Sequence, residues 1–316
     1  MNQKTRIIYM GTPDFSVPAL QKLAEQDDFF ISLVVTRPDR PKGRGKKLAP
    51  TPVKTAALNL GLDVFQPKNI NTKEAKEKLL SFNPDFFVVA ALGQLLSQEI
   101  LDIPQILPIN IHASLLPKYR GASPIQAAIQ NMDEVTGVTT MVMTKGMDAG
   151  DLLLSSSTPI HSQDTAQDIH NRLGIIGADL IVKTLHAILD NRLNPISQDH
   201  SKATYVKMLK KNDGKINWNL SSRQICAHIN AMTPWPGAFT HLGNKTIKIY
   251  RAGPSDIQTR HDPGVIFLCD KQGIHVATGK GSLIILELMG TSGKRLDAGQ
   301  FLCGHKIDPF EKFDVA

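Results

Sequence analysis

The feature that most constrains the fold of this sequence is the run Phe86–Ala91, in which apolar residues follow one another without a polar interruption. A strand with one face in water alternates apolar and polar side chains. A continuous apolar run therefore predicts a strand that is covered on both faces. Such strands are typical of parallel sheets with helices packed on each side, so the run predicts an α/β fold.

Strand and helix signals alternate through the first two hundred residues. Apolar segments typical of strands recur at 6–10, 30–35, 86–91 and 106–111, and segments with helical spacing of apolar residues include a long one at 165–189. This alternation predicts a doubly wound, mostly parallel α/β sheet of the Rossmann-like type. In such a sheet the ligand site lies beyond the carboxyl ends of the strands.

The pattern changes in the last third of the chain. Short strand-like segments separated by turns, such as Thr246–Arg251 and Ile274–Thr278, predict a small OB-like β-barrel. A polar stretch with weak signals separates the two patterns. We therefore predict an α/β domain at 1–190, a linker at 191–206 and a barrel domain at 207–316.

Composition narrows the class of protein. Three distant cysteines in 316 residues argue against a disulfide framework and a cysteine-rich zinc site. The sequence shows no signal-peptide core and no apolar stretch long enough to span a membrane, which predicts a cytoplasmic protein without membrane contact. Nothing requires a multimer, so we expect a monomer.

Basic charge is concentrated in the last third. Residues 207–316 carry 15 Lys and Arg against 9 Asp and Glu, whereas residues 1–206 carry 21 against 20. This excess favours a polyanionic partner such as nucleic acid, although a mild basic bias also occurs in domains that bind none. Nucleotide-binding motifs are poor: Gly11 lacks the further glycines of a dinucleotide fingerprint, and no GxxxxGK[ST] occurs. No histidines have the spacing of metal ligands, and we predict no metal site.

Asn110-Ile111-His112 is the strongest candidate for chemistry. On a strand, side chains two positions apart share a face, so an amide donor lies beside an imidazole. Acyl-type transfer needs a donor for the developing oxyanion and a group that handles the proton of the attacking amine. Asp148, in the glycine-bounded loop Gly146–Asp151, can orient the imidazole. Taken singly, His112 is more often a structural residue and Asp148 is equally well a solvated turn acid.

A basic segment follows the second predicted strand. Its prolines and glycines predict a mobile loop without regular structure, and it is either a solvated loop or an arm that orders on nucleic acid. Six basic residues in this segment are candidate nucleic-acid contacts: Arg37, Arg40, Lys42, Arg44, Lys46 and Lys47. Lys248, on the outer face of a barrel strand, is a further candidate.

These motifs resemble those of the folate-dependent formyltransferases along essentially the whole chain. The resemblance rests on Gly11–Phe15, Asn110–Pro117, Arg120–Ala122, Met147–Asp151 and Pro234–Pro236. The basic loop and the barrel are typical of the members that act on tRNA. At Leu92-Gly93-Gln94 the sequence departs from the family pattern, which has an aromatic residue before the glycine and an apolar one after it.

The resemblance implies that 10-formyltetrahydrofolate donates its formyl group to the α-amino group of methionine on initiator tRNA. It implies that Asn110 and His112 donate hydrogen bonds to the oxyanion, and that Asp148 orients His112 and helps move the amine proton. The folate site is then lined by two stretches, and their residues are Ala91, Leu92, Gly93, Ser114, Leu115, Leu116 and Pro117.

Two other functions stay open at this point. The first is formyl transfer to a small-molecule amine, such as a nucleotide sugar or glycinamide ribonucleotide. The second is a non-catalytic RNA-binding protein on the same fold, which is expected to have lost at least one of Asn110, His112 and Asp148.

Overall fold

The computed structural model describes residues 4–42, 47–290, 293–308 and 310–315. The chain divides into two compact units, each built from separate stretches of sequence. Unit 1 comprises Met1–Gly121, Thr136–Thr158 and His170–Tyr205. Unit 2 comprises Ala122–Val135, Pro159–Ile169 and Val206–Ala316. The sequence-based division treats each domain as continuous, whereas these units are interleaved.

The strands up to residue 206 are β1 (Thr5–Gly11), β2 (Phe29–Val35), β3 (Arg40–Lys42), β4 (Lys47–Ala49), β5 (Val64–Phe65), β6 (Phe86–Ala90), β7 (Leu107–His112), β8 (Arg120–Gly121), β9 (Val135–Val142), β10 (Leu152–Pro159) and β11 (Tyr205–Val206). The helices are α1 (Val17–Ala24), α2 (Pro52–Asn59), α3 (Lys73–Ser81), α4 (Gln98–Leu101), α5 (Pro124–Gln130) and α6 (Ala166–Leu189).

Seven of the described strands form one sheet in the order β10-β9-β7-β6-β1-β2-β5. The pairs from β7 to β5 are parallel, and β9 joins β7 antiparallel, so the predicted mostly parallel sheet is confirmed. The chain runs from β1 outward to β2 and β5, then returns to β6 on the other side of β1. This reversal opens a crevice at the carboxyl ends of β1 and β6, where ligands bind in such sheets.

Every residue of β6 is buried, as its apolar run predicts. One of its faces joins a core that includes Ile8, Leu33, Phe87 and Leu79. The helix predicted at 165–189 is found as α6. Helix α3 has no counterpart in the prediction, because its sequence KEAKEKLLS is dominated by charged side chains.

The prediction of a loop without regular structure between Arg37 and Lys47 is wrong for its described part. Strands β3 and β4 pair antiparallel as a ribbon, with Pro41 opposite Leu48. Proline is tolerated there because an isolated two-stranded ribbon has outer edges that need no N–H donor. At the base of the ribbon, Asp39 accepts hydrogen bonds from Lys54 at 2.7 Å and Gln66 at 2.8 Å. These bonds, the one from Gln66 foremost, lower the pKa of the Asp39 carboxyl.

The predicted linker at 191–206 is ordered against unit 1 along much of its length. Ile196 exchanges backbone hydrogen bonds with Leu152, and Thr204 accepts one from the Arg120 N–H at 2.8 Å. Gln198 is 95% buried, with 5% of its surface exposed.

Unit 2 contains α7 (Ser222–Met232), α8 (Ala298–Gly304) and the strands β12 (Ala238–Leu242), β13 (Lys245–Ser255), β14 (Ile266–Cys269), β15 (Ile274–Ala277), β16 (Ser282–Met289) and β17 (Arg295–Asp297). The path β12-β13-β16-β15-β14 is antiparallel, and β17 pairs with β16.

The C-terminal β domain, predicted as a small OB-like barrel, is thus confirmed as a domain built on an antiparallel sheet. Phe313 bridges to Leu242 beside one edge strand and Lys312 bridges to Val265 beside the other, so the last described segment links both edges. Phe313 also stacks on the buried Trp218 ring at 5.1 Å. None of the described helices is long and apolar enough to cross a membrane.

Candidate active site

The ends of β6 and β7 bring the two predicted halves of the site to one edge of the sheet. Val89 pairs with Asn110 in parallel register, so the carboxyl ends of β6 and β7 lie side by side. Asn110 is half-buried, and its side-chain amide bonds to none of the described residues. Since side chains alternate along β7, the amide of Asn110 shares a face with His112 and is available to a ligand.

His112 is held between two oxygen atoms. Its imidazole is 94% buried, Nε2 lies 3.0 Å from the Tyr119 carbonyl oxygen, and Nδ1 lies 3.5 Å from Asp148 Oδ2. A carbonyl oxygen only accepts, so Nε2 carries a hydrogen and donates it. In the neutral ring Nδ1 is then the unprotonated nitrogen, which accepts a proton rather than donating one.

Asp148 is fixed by the backbone of the facing loop. Its Oδ2 accepts the Gly121 N–H at 2.7 Å, which directs the carboxylate toward His112. Asp148 itself has a φ of 48°, a left-handed conformation that aspartate tolerates better than most residues. Gly150, two residues on, packs so closely that a Cβ there would lie 1.9 Å from the Val142 carbonyl oxygen. The glycine predicted to let this loop turn is therefore required by close packing.

The loop after β7 is held by buried polar contacts. The Ser114 hydroxyl donates to the Lys118 carbonyl at 2.6 Å, and the Thr139 hydroxyl donates to the Ser114 carbonyl at 2.7 Å. Thr139 also accepts the Leu116 N–H at 3.2 Å. Because Tyr119 ends this loop, these bonds place the carbonyl oxygen that His112 contacts.

The turn after β6 exposes its backbone. Ala91 and Gly93 have φ values of 47° and 77° and are exposed, whereas the Leu92 side chain is only 2% exposed and joins the core. The Leu92 carbonyl accepts the Thr12 hydroxyl at 2.8 Å. Gln94 joins this turn to the segment before α3 by accepting the Ile70 N–H at 3.0 Å. The turn is held by these two hydrogen bonds and presents main-chain groups at the sheet edge.

Within the described part of the chain, no three His, Cys, Asp or Glu side chains are grouped so as to hold a metal ion. The chemistry of this site is that of an amide, an imidazole and a carboxylate.

Comparison with known proteins identifies the family. A model described as formyl transferase matches residues 4–185, and one described as formyl transferase, C-terminal domain, matches residues 208–306. The chain belongs to the formyltransferase family.

Relatives similar over nearly their whole length include two bacterial methionyl-tRNA formyltransferases. The protein from Citrifermentans bemidjiense is 45% identical over 307 residues, covering 96% of this formyltransferase and 95% of the relative. The protein from Geotalea uraniireducens is 44% identical over 304 residues, covering 96% of each chain.

Solved structures share the fold at low sequence identity. HypX from Aquifex aeolicus, in complex with tetrahydrofolic acid, aligns with a TM-score of 0.63 at 16% identity over 98% of this chain. This formyltransferase spans about half of that protein, 49%. WlaRD, a sugar 3N-formyl transferase studied with dTDP and 5-N-formyl-THF, aligns with a TM-score of 0.65 at 19% identity, covering 90% of this chain and 98% of its own.

The residues predicted to line a folate site fall into two groups in this formyltransferase. Ala91, Gly93, Leu115 and Pro117 keep exposed or half-buried surface. The buried members of the set are Leu92, Ser114 and Leu116. Side chains in the second group shape the turn and the loop, so any contact that they make with a ligand comes from the backbone.

The predicted tRNA contacts are likewise divided. Arg40 is exposed on β3, and the backbones of Lys42 and Lys47 lie in the ribbon, while Arg44 and Lys46 lie outside the described residues. Arg37 packs on the turn after β6, where a Cβ added to Gly93 would lie 3.2 Å from its Nη1. Lys248 belongs to unit 2, where the buried Ile247 and Ile249 alternate with it along β13 as predicted.

Sequence reasoning missed the groups that hold the site together. The Tyr119 carbonyl and the Gly121 N–H are main-chain atoms, which no side-chain pattern reveals. Gln198 lies in a polar stretch without a motif, yet it donates to the carbonyls of Asp148 at 2.9 Å and Gly150 at 2.6 Å.

Proposed function

We propose that this formyltransferase transfers the formyl group of 10-formyltetrahydrofolate to the α-amino group of methionyl initiator tRNA. The observation that carries the chemistry is the arrangement of Asn110, His112 and Asp148 around one end of β7. Relatives of this chain at 45% identity that carry the name methionyl-tRNA formyltransferase support the acceptor.

The different contacts of Asn110 and His112 support different roles for the two β7 side chains. Asn110 donates its amide N–H to the oxyanion that develops as the amine attacks the formyl carbon. His112 accepts the amine proton at Nδ1, because the Tyr119 carbonyl occupies Nε2–H. This refines the sequence-based hypothesis that both side chains donate to the oxyanion.

Asp148 stabilises the imidazolium that His112 becomes. Its Oδ2 lies 3.5 Å from Nδ1, close enough for strong attraction in a site with little water. The proton then passes to the folate nitrogen that leaves, so the ring returns to its neutral tautomer and the bond from Nε2–H to Tyr119 is kept throughout.

Folate is expected along the edge formed by the Ala91–Gly93 turn and the loop after β7. Exposed main-chain groups of the turn suit the hydrogen-bonding edge of a pterin ring. In this arrangement the formyl group is expected beside Asn110, which pairs with Val89 at the end of β6. We further propose that the protein acts as a monomer in the cytoplasm.

Support for a tRNA acceptor comes from charge. The β3–β4 ribbon carries exposed Arg40 near basic neighbours in sequence, and residues 207–316 carry 15 basic against 9 acidic side chains. A small acceptor requires neither feature.

The deciding experiment is a formylation assay with 10-formyltetrahydrofolate and either initiator or elongator methionyl-tRNA, with a nucleotide-linked amino sugar in a third arm. We expect product chiefly from the initiator tRNA. Absence of that product, or preference for the sugar, would overturn the proposed acceptor.

Site variants test the chemistry separately. Asn110→Asp and His112→Ala are each expected to lower kcat by ~100–1,000-fold, the usual cost of losing an oxyanion donor or a proton acceptor. His186→Ala is a matched control, since it removes a His–Asp pair with Asp28 at 2.7 Å that lies partly exposed on α6. Near-normal turnover by folded Asn110→Asp or His112→Ala protein would show the assignment to be wrong.

Salt dependence tests the ribbon. Neutralising Arg40, Lys42 and Arg44 together is expected to weaken tRNA binding and to flatten the slope of log Kd against log salt by up to ~3. The three lysines of α3 provide a control of equal charge change. Equal effects from both sets would show that the ribbon has no specific role.

A further inference from the structure

Gln198 makes four hydrogen bonds and has no capacity left. Its Oε1 accepts from Arg120 Nε at 3.1 Å and from Arg120 Nη2 at 2.6 Å. Its Nε2 donates to the carbonyls of Asp148 at 2.9 Å and Gly150 at 2.6 Å. A glutamine side chain offers two donor hydrogens and two acceptor lone pairs, and all are used here. The amide is therefore fixed in one orientation.

Arg120 fixes the position of the Gln198 Oε1 atom. Its side chain is 99% buried, yet none of the described carboxylates forms an ion pair with it. Its remaining bonds run from Nη1 to the Tyr205 hydroxyl at 3.2 Å and from Nη2 to His200 Nδ1 at 3.1 Å. Every partner is neutral, with His200 accepting through an unprotonated nitrogen. A buried cation held only by neutral acceptors orients them strongly, because each bond is charge-assisted.

Both the carboxylate and the main-chain carbonyl of Asp148 are thus held by hydrogen bonds that depend on Arg120-Gly121 and Gln198. The Gly121 N–H holds the carboxylate at 2.7 Å, and Arg120, the residue before it, holds Gln198, which binds the carbonyl. Asp148 has the left-handed φ of 48°, which costs an L-residue free energy that the surroundings must offset. The hydrogen bond from Gln198 to the Asp148 carbonyl offsets this free-energy cost at the strained residue itself.

We propose that Arg120 and Gln198 are positioning residues for the formyl transfer, acting through Asp148. They hold the Asp148–Gly150 loop so that the carboxylate stays beside His112 while that ring gains and loses a proton. We call the hydrogen bonds from Arg120 to Gln198, and from Gln198 to the carbonyls of Asp148 and Gly150, the clamp. The inference rests on the proposed function for its catalytic readout, but the clamp can be measured without substrate.

Gln198→Glu separates the two halves of the clamp. A carboxylate of nearly the same shape keeps the contacts with Arg120 and adds a charge pair, so the fold is retained. It has no hydrogen to donate and instead faces the carbonyls of Asp148 and Gly150 with a negative oxygen. We expect kcat to fall ~10–100-fold, as small displacements of a catalytic group do, with each KM changed less than ~3-fold.

Non-additivity tests whether Gln198 acts through Asp148. In an Asp148→Asn background the further change Gln198→Glu is expected to lower the single-turnover rate by less than ~3-fold, because the group it positions has already lost its charge. Equal fold-losses in both backgrounds would overturn the proposal. Gln26→Glu is the matched control, since the Gln26 side chain donates to the Lys22 carbonyl at 3.0 Å just beyond α1, outside the candidate site.

Hydrogen exchange distinguishes failure of the clamp from failure of the proposed reaction. Gln198→Glu is expected to speed amide exchange in residues 146–151 while leaving β6 and β7 as slow as in the wild type. Arg120→Lys provides a second variant that keeps the charge but loses the two-pronged contact with Gln198. Unchanged exchange in 146–151 for both variants would refute the clamp, whereas faster exchange without any formylation by the wild type would refute only the function.

Discussion

Thr139→Val is the perturbation whose effect follows most directly from the structure. Thr139 lies on β9, is 1% exposed, and pairs with His112 across the antiparallel register. Its hydroxyl donates to the Ser114 carbonyl at 2.7 Å and accepts the Leu116 N–H at 3.2 Å. Valine has the same shape, so the substitution removes these two bonds without leaving a cavity.

The expected loss of stability comes from groups left unpaired. Each lost hydrogen bond costs ~1 kcal/mol net, and a buried N–H or C=O left without a partner costs ~1–3 kcal/mol. Since these penalties overlap, we expect Thr139→Val to lower the free energy of unfolding by ~2–4 kcal/mol. The loop that presents the Tyr119 carbonyl also loses its anchor, so kcat is expected to fall ~10–100-fold.

Thr140→Val is the matched control. Thr140 is fully buried on the opposite face of β9, where it bonds the Thr184 hydroxyl at 2.9 Å and accepts the Leu154 N–H at 3.1 Å. It is expected to lose comparable stability in urea unfolding followed by circular dichroism, but to keep kcat within ~3-fold because it touches no part of the loop after β7. If both variants lost activity equally, the loop argument would fail, and a fully stable Thr139→Val protein would contradict the hydrogen-bond argument.

Three further predictions concern single residues. Burial raises the pKa of the Cys226 thiol to about 12, and it is also the chief cause of the raised pKa of Cys269. A thiol reagent at neutral pH is therefore expected to label the exposed Cys303 first, then Cys269, and the buried Cys226 only after unfolding. Early labelling of Cys226 would contradict this order. Burial lowers the pKa of His228 below its usual 6.5, so the folded unit holds this ring neutral while the unfolded chain protonates it, and stability is expected to fall as pH drops below about 6.5. The fall in Tm between pH 7.5 and 5.5 is expected to be smaller for His228→Gln than for the wild type, and an equal fall would count against the argument. Nitrogen NMR at neutral pH is expected to show that the neutral His112 ring carries its hydrogen on Nε2. A ring with its hydrogen on Nδ1 would remove the basis for Nδ1 as the proton acceptor.

Strands and the central motif were predictable because their signals are local. The buried run of β6 and the two-residue spacing of Asn110 and His112 fix a sheet and a shared face. The parallel pairing of β6 with β7 agrees with the predicted fold class. The glycines of the loop after β9 fit a turn, which is a local signal, but the structure shows that Gly150 is required by its close approach to the Val142 carbonyl oxygen.

Other parts of the site depend on contacts that sequence spacing does not reveal. Gln198 lies 50 residues from Asp148 in the chain, and its role depends on four hydrogen bonds in the folded protein rather than on a sequence motif. Leu92 and Ser114 stand in the expected folate stretches, but packing turns their side chains inward. The ribbon of β3 and β4 forms despite Pro41, and at its base Asp39 is anchored by Lys54 of α2 and by Gln66, which follows β5.

The interleaving of the two units has a consequence for synthesis on the ribosome. Unit 2 takes α5 from before residue 136 and packs it with α7, where Gln130 bonds His228 at 3.2 Å. Helix α5 therefore leaves the exit tunnel about a hundred residues before α7, and until α7 emerges its apolar side lacks the helix that packs on it. A fragment beginning at residue 207 would lack α5 altogether and expose the apolar side of α7. The C-terminal unit is thus expected to aggregate when expressed alone, and to fold only as the last step of making the whole chain.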